Sequence, residues 1–277
     1  MPDAVIVYLW GGLGNQLFQY AAGLALSANT SQKPALFLLP AKDNGHSARD
    51  YRRDLMPLGL PVEAPAEHTA DATFWPKDGF APWSPETLVA RLRAAGVSRV
   101  LVRGYFQYLP AIIQQVPQVR ADLLDSLTEL RDRMALKYRI QDPKALASLH
   151  VRRGDYVKLQ AEGFHLLGPE YYRPAVQAVQ GSLGAPVKWL IFSNDPAWCR
   201  EQMRTWLPPG AEVVDESDEL ATLALLSLCQ AAAVTSNSTF SWWGAVLANP
   251  IIATYSTRWI GQAKPTLFPA TWMRIDA

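Results

Sequence analysis

Apolar residues run unbroken from Val5 to Leu9, stop at Gly11-Gly12-Leu13-Gly14, and resume as Leu13, Leu17, Tyr20 and Leu24 at helical spacing. The pattern predicts a strand, a glycine turn and a helix. Two further short strands are expected at 35–39 and 99–102. The proline-rich stretch 57–85 between them has neither period and reads as mostly loop. A long helix is expected over 123–140, ended by Asp142-Pro143, because the residue before a proline is driven out of the helical region. The domain boundary is placed there, giving domains 1–143 and 144–277.

The second half alternates more regularly. Strands are expected at 145–151, 187–192, 211–214, 232–236 and 250–254, and helices at 170–180, 196–206, 219–231 and 240–248. Fully apolar strands joined by helical crossovers predict an α/β fold built on a parallel sheet covered on both faces. In such a sheet every carboxyl end lies on one edge, where ligands bind. Three of the strands end in polar clusters: His150-Val151-Arg152-Arg153-Gly154-Asp155, Ser193-Asn194-Asp195 and Ser236-Asn237-Ser238-Thr239. The clusters are therefore expected to converge.

Their chemistry suits a diphosphate. A guanidinium offers a planar fork of donors, Asn and Ser supply hydrogen bonds, and amides at a helix N-terminus favour negative charge. Strand alternation sets His150 and Arg152 on one face and Arg153 on the other, so one arginine is expected to bind and the other to brace. Asp155 is expected to orient Arg153. Asp195, just before Pro196, is either a helix N-cap or a ligand contact, and the same choice applies to one of Ser238 and Thr239. His165 and Trp243 read as packing residues.

The first glycine turn resembles a dinucleotide fingerprint only weakly. Leu17 replaces its third glycine, and Leu39-Pro40-Ala41-Lys42 has no acid for a ribose hydroxyl. Asn15 and Gln16 offer neutral donors and acceptors, as a sugar hydroxyl requires.

Composition narrows the class. Hydrophobic residues make up 49% of the 277 and charged residues 18%, without low-complexity tracts, so the whole chain is expected to fold. A net charge of +1 argues against a nucleic-acid binder, whose affinity rests on many phosphate contacts. Cys199 and Cys229 are expected to be buried thiols in a reducing compartment. The N-terminal apolar run, Ala4 to Trp10, is too short for a signal core or a membrane span, and the most apolar later segment, Leu220 to Val234, is interrupted by Thr222, Ser227 and Gln230, which points to a cytoplasmic protein.

Four segments together resemble the family 11 glycosyltransferases, the α-1,2-fucosyltransferases. They are GGLGNQLFQYAA at 11–22, GYFQ at 104–107, HVRRGDY at 150–156 and SNSTFSWWGAVL at 236–247, in the family's order and across nearly the whole chain. The resemblance implies two Rossmann-like domains facing across a cleft (GT-B-like), with GDP-fucose held chiefly by the second. It implies a galactose-containing acceptor and inversion at the anomeric carbon by single displacement. Arg152 would meet the β-phosphate, with His150 and Asp155 as further catalytic candidates. The implied donor-binding set comprises Gly12, Gly14, Asn15 and Gln16 at the first turn. Arg153, Ser193, Asn194 and Asp195 join them from the second half, with Asn237, Ser238, Thr239 and Phe240. Two positions depart from the family: Gly12 stands where arginine is frequent, and Thr222 where an acid is usual, with Asp218 or Glu219 one turn away. Acceptor preference is expected in first-half loops that include Trp75, Asp78 and Trp83.

No Asp-x-Asp string occurs, so no metal is expected. The competing readings are a Rossmann-type sugar-nucleotide dehydrogenase or epimerase, and a non-catalytic glycan-binding protein.

Overall fold

Every strand pairing among the described residues is parallel; the second of the two sheets is wound outward from an interior strand, whereas in the first the chain reaches an edge before it returns beside the central strand. The computed structural model describes residues 4–30, 35–40, 58, 70–74, 82–259 and 265–276. Its contacts divide the chain into two compact units, Met1–Ser126 and Leu127–Ala277.

In the first unit, β1 (Ala4–Leu9) leads through the glycine turn into α1 (Leu13–Ala28). Then come β2 (Ala35–Pro40), β3 (Ala72–Phe74), α2 (Pro85–Ala94), β4 (Arg99–Val102), the single turn α3 (Leu109–Ile112) and α4 (Val116–Ser126). The sheet order is β2-β1-β4-β3. β3 lies within 57–85, so part of that expected loop is a strand; Ala72 and Phe74 are half-buried and Thr73 exposed, an alternation only three residues long and too short to read as a period. Most of that stretch, with Trp75 and Asp78, lies outside the described residues.

The expected helix over 123–140 is two helices, α4 and α5 (Thr128–Lys137), separated at Leu127. Ser126 explains the break: its hydroxyl bonds the carbonyl of Asp122 at 2.8 Å and also that of Leu58, competing with the helical ladder. Leu127 is fully buried, and its carbonyl starts the new helix by accepting from Arg131 N at 2.8 Å. α5 then packs with the second unit, where Arg131 Nε donates to Ser227 Oγ at 2.9 Å and Lys137 Nζ to Glu216 at 2.8 Å. The division between units therefore precedes residue 143.

The second unit continues with β5 (Leu146–Val151), α6 (Pro169–Leu183), β6 (Lys188–Ser193), α7 (Pro196–Gln202) and β7 (Glu212–Val213). It ends with α8 (Glu219–Leu226), β8 (Ala232–Val234), α9 (Thr239–Ala248), β9 (Ile252–Ser256) and β10 (Met273–Ile275). The order is β10-β9-β8-β5-β6-β7. Counted from β5, this is the doubly wound order 3-2-1-4-5-6 of dinucleotide folds, read from its far edge. All six residues of β5 are buried. Tyr172, Val176 and Val179, on one stripe of α6, pack with Leu149, Val151, Trp189 and Ile191. Burial of each large aliphatic side chain contributes about 1.5 to 3 kcal/mol, so this layer fixes the strand ends on which the polar loops stand. Cys199 and Cys229 are buried and free. No helix among the described residues is long and apolar enough to cross a membrane.

Candidate active site

Winding changes direction between β5 and β8, the place where α/β sheets open a crevice at their carboxyl edge. β6 adjoins β5 on the other side, so the three polar clusters stand on three neighbouring strands and converge. His150 Nδ1 lies 2.9 Å from Ser236 Oγ, which ties β5 to β8. Arg153 N donates to Asn194 Oδ1 at 2.9 Å, which ties β5 to β6.

The two arginines part company, but with partners other than those expected. A short 3-10 turn at Gly154–Val157 folds Asp155 back onto Arg152, whose Nη2 lies 2.8 Å from each carboxylate oxygen. Arg153 instead donates through Nε to Asp195 Oδ2 at 3.2 Å and lies over the Trp198 ring at 4.0 Å. Asp195 also caps α7, its Oδ1 accepting from Trp198 N at 3.2 Å. Both of its oxygens are thus held by protein. Asp155 orients Arg152, and Asp195 braces Arg153. Arg152 keeps a quarter of its side chain exposed, lies 5.4 Å from the Tyr156 ring centroid, and has no partner for Nε among the described residues.

Gly154 permits this turn. Its φ is +20°, and an added Cβ would stand 2.2 Å from Asn194 Nδ2. Ser193 Oγ accepts from Asp195 N at 2.9 Å, closing the β6 loop.

His150 is 6% exposed, and burial followed by the nearby Arg152 charge pushes it down to about 3. It is a neutral imidazole at physiological pH, with Phe240 5.8 Å away between ring centroids. Tyr156 is pushed up to about 12, chiefly by burial, and donates its hydroxyl to Asn237 O at 3.1 Å. Asn237 is buried, with its Nδ2 on His165 O at 2.8 Å and Arg258 O at 3.0 Å. His165 therefore serves through its backbone while its side chain is exposed, contrary to the packing expectation; Trp243 is fully buried. Ser238 stands at the N-cap of α9 without a side-chain cap bond. Thr222 Oγ1 bonds Asp218 O at 2.7 Å, and Asp218 Oδ1 caps α8 through Ala221 N at 2.7 Å. That carboxylate is committed locally.

The first sheet has its own change of direction, between β1 and β4. Gly11 adopts φ +75°, with Asn15 Nδ2 2.7 Å from where a Cβ would stand. Gly12 precedes α1, and Gly14 is buried within it. Gln16 Nε2 donates to Gly11 O at 3.0 Å, and Asn15 Oδ1 accepts from Gln107 Nε2 at 3.1 Å. Residues outside the expected set complete this edge. Buried Gln19 clamps both backbone groups of Trp10, at 3.1 and 3.2 Å, and Trp10 stacks on Tyr105 at 4.9 Å. Gln19 lies inside the quoted glycine segment, where a glutamine on an apolar helix face was the available signal.

The signature of glycosyl transferase family 11 matches residues 4–254. The chain belongs to glycosyl transferase family 11. Its relatives there are distant. The O-antigen biosynthesis glycosyltransferase WbnK of Escherichia coli is 30% identical over 57% of this chain and 53% of its own length. An alpha-1,2-colitosyltransferase of Escherichia coli is 26% identical over 98% of this chain and 99% of its own. Galactoside alpha-(1,2)-fucosyltransferase 1 of Homo sapiens is 27% identical, the match covering 87% of this chain and 65% of that protein. The chain thus spans about half of the first and just under two thirds of the last. Among solved structures, fucosyltransferase NodZ from Bradyrhizobium superposes with a TM-score of 0.54 at 14% identity, covering 89% of this chain and 94% of that one. NodZ alpha-1,6-fucosyltransferase co-crystallised with GDP gives 0.54 at 15% identity, over 89% and 93%. These likenesses concern the fold.

Proposed function

We propose that this family 11 enzyme transfers L-fucose from GDP-β-L-fucose to the 2-hydroxyl of a terminal galactose. The transfer inverts the anomeric carbon, and Arg152 stabilises the departing diphosphate. In this reading the second unit carries the nucleotide and the first serves the acceptor. The observation that carries it is the unequal commitment of the two arginines. Arg153 is held by a carboxylate and by an indole at 4.0 Å, whereas Arg152 has no partner for Nε among the described residues, lies farther, at 5.4 Å, from the Tyr156 ring, and pairs with a half-exposed carboxylate. Asp155 is half exposed, and a surface ion pair is worth about 0 to 1 kcal/mol, so a diphosphate, with more charge and more acceptor oxygens, can displace Asp155 from the fork.

Negative charge grows on the diphosphate as the anomeric bond breaks, and a guanidinium placed there lowers the barrier. His150 supports the edge as a neutral hydrogen-bonding group; a pKa of about 3 leaves it too weak a base to take the acceptor proton. Charge balance on the diphosphate is assigned to Arg152, without a divalent ion. Family membership speaks for a transferase over a dehydrogenase, an epimerase or a passive glycan binder.

A second donor is supported by one observation: a relative matched over 98% of this chain is a colitosyltransferase. Colitose lacks the 3-hydroxyl of fucose, and both sugars can ride on GDP. The test is incubation with GDP-fucose and, separately, GDP-colitose over a panel of galactosides. GDP release is followed, and the product linkage is assigned by NMR. An α-1,2-fucosyl galactoside is expected. Turnover of GDP-colitose alone, or a linkage at another hydroxyl, would replace the reading.

A further inference from the structure

Asn237 stands in the loop between β8 and α9, 1% exposed, with every hydrogen of its amide in use. Nδ2 donates to the carbonyl of His165, in the loop after β5, and to that of Arg258, in the loop after β9. Its own carbonyl receives the buried Tyr156 hydroxyl. Oδ1 is buried and has no partner among the described residues, so the donating end does the fastening. Three loops from three strands therefore meet on one side chain, next to the His150–Ser236 contact at the change of winding.

We propose that Asn237 is a positioning residue that fastens the loops after β5 and β9 around the nucleotide edge without touching the donor. The inference rests on the reading of that edge as a GDP site. An amide is the group the geometry calls for. An ionised aspartate would turn a carboxylate oxygen toward two carbonyl oxygens, and alanine would leave both carbonyls unpaired in a buried place. With the fastening lost, Ser236 and Ser238 lose the fixed backbone on either side of them, and the nucleotide meets a looser edge.

Hydrogen exchange and GDP binding, measured together on the full chain, test this. In Asn237→Ala, amides of 159–167 and 256–259 should exchange at least tenfold faster, those of β5 and β6 should not, and GDP should bind about tenfold more weakly. In Asn237→Asp the ratio of variant to parent GDP affinity should rise as pH falls from 8 to 5. The buried acid, once protonated, regains a donor for one carbonyl. A side chain that touched GDP directly would weaken binding with the loop exchange unchanged, and that result overturns the proposal; so does parent-like exchange with parent-like affinity. Should the alanine variant not fold, Asn237→Asp at pH 5 and Tyr156→Phe carry the same comparison, the latter with faster exchange confined to 156–166. If the parent binds no GDP, the reading of the site fails, while the exchange of Asn237→Ala still decides the fastening.

Discussion

His150 and Ser236, 86 residues apart in the chain, meet at 2.9 Å across the boundary between β5 and β8. The contact closes the change of winding and buries an imidazole held near a pKa of 3. Because the folded value lies below the ordinary 6.5, the unfolded chain takes up this proton first. The stabilisation is therefore whole above pH 6.5 and is lost as pH falls toward 3. Across that window His150 should add a slope approaching about 1.4 kcal/mol per pH unit. Urea unfolding of the parent and His150→Gln at pH 7, 5.5 and 4.5 checks this: the variant's stability should fall less steeply. Parallel slopes would show that His150 is not buried neutral.

Arg152→Ala should lower transfer by 10² to 10³, equivalent to about 3 to 4 kcal/mol, by analogy with a lost oxyanion donor. Its folding should be retained, since the ion pair it gives up is half exposed. Arg152→Lys should recover little, because a point charge does not reproduce the fork. Steady-state rates with GDP-fucose beside thermal melting decide the matter; parent-like turnover in either variant removes Arg152 from its role.

The opposite balance is expected at Arg153. Its guanidinium stacks on Trp198 and binds the carboxylate that caps α7, so Arg153→Ala should cost about 1 to 3 kcal/mol of stability. Denaturant midpoints for the two arginine variants, taken side by side, should show the larger shift at Arg153. Equal shifts contradict the division of labour.

Gly154→Ala places a methyl against the Asn194 amide at a φ that disfavours side chains. The bond from Arg153 N to Asn194 should break, with a stability loss of about 1 to 2 kcal/mol and a transfer rate at least tenfold lower. A variant as active as the parent would mean that the two loops need not touch.

Transfer should survive exhaustive chelation, because charge balance is assigned to Arg152. Activity that disappears with chelator and returns only with a divalent cation would be the wrong outcome for that assignment.

How much of this was legible in the residues depends on how local each cause is. Strands β5 and β6 and the helix α6 show their period directly, and the three polar clusters could be put on one edge because parallel strands leave no other choice. β3 is not legible because its alternation is only three residues long. The break at Leu127 escaped because it depends on where the Ser126 hydroxyl turns. The arginine partners were exchanged for the same kind of reason. Asp155 is two residues from Arg153 but is folded back by a 3-10 turn onto Arg152, and Asp195 arrives from another strand. Asn237 reads as a ligand group because it sits in a polar cluster; its carbonyl partners lie 72 and 21 residues away, where no sequence pattern points.

The loops on the β5, β6 and β8 ends share their hydrogen bonds: Asn194 serves the backbone of Arg153, Ser236 serves His150, and Tyr156 serves Asn237. On the proposed reading of this edge, anyone grafting loops here from another family 11 protein should move the three as a single cassette. Exchanging one alone would strand its neighbours' donors and acceptors, and the chimera would fail before its selectivity could be assayed.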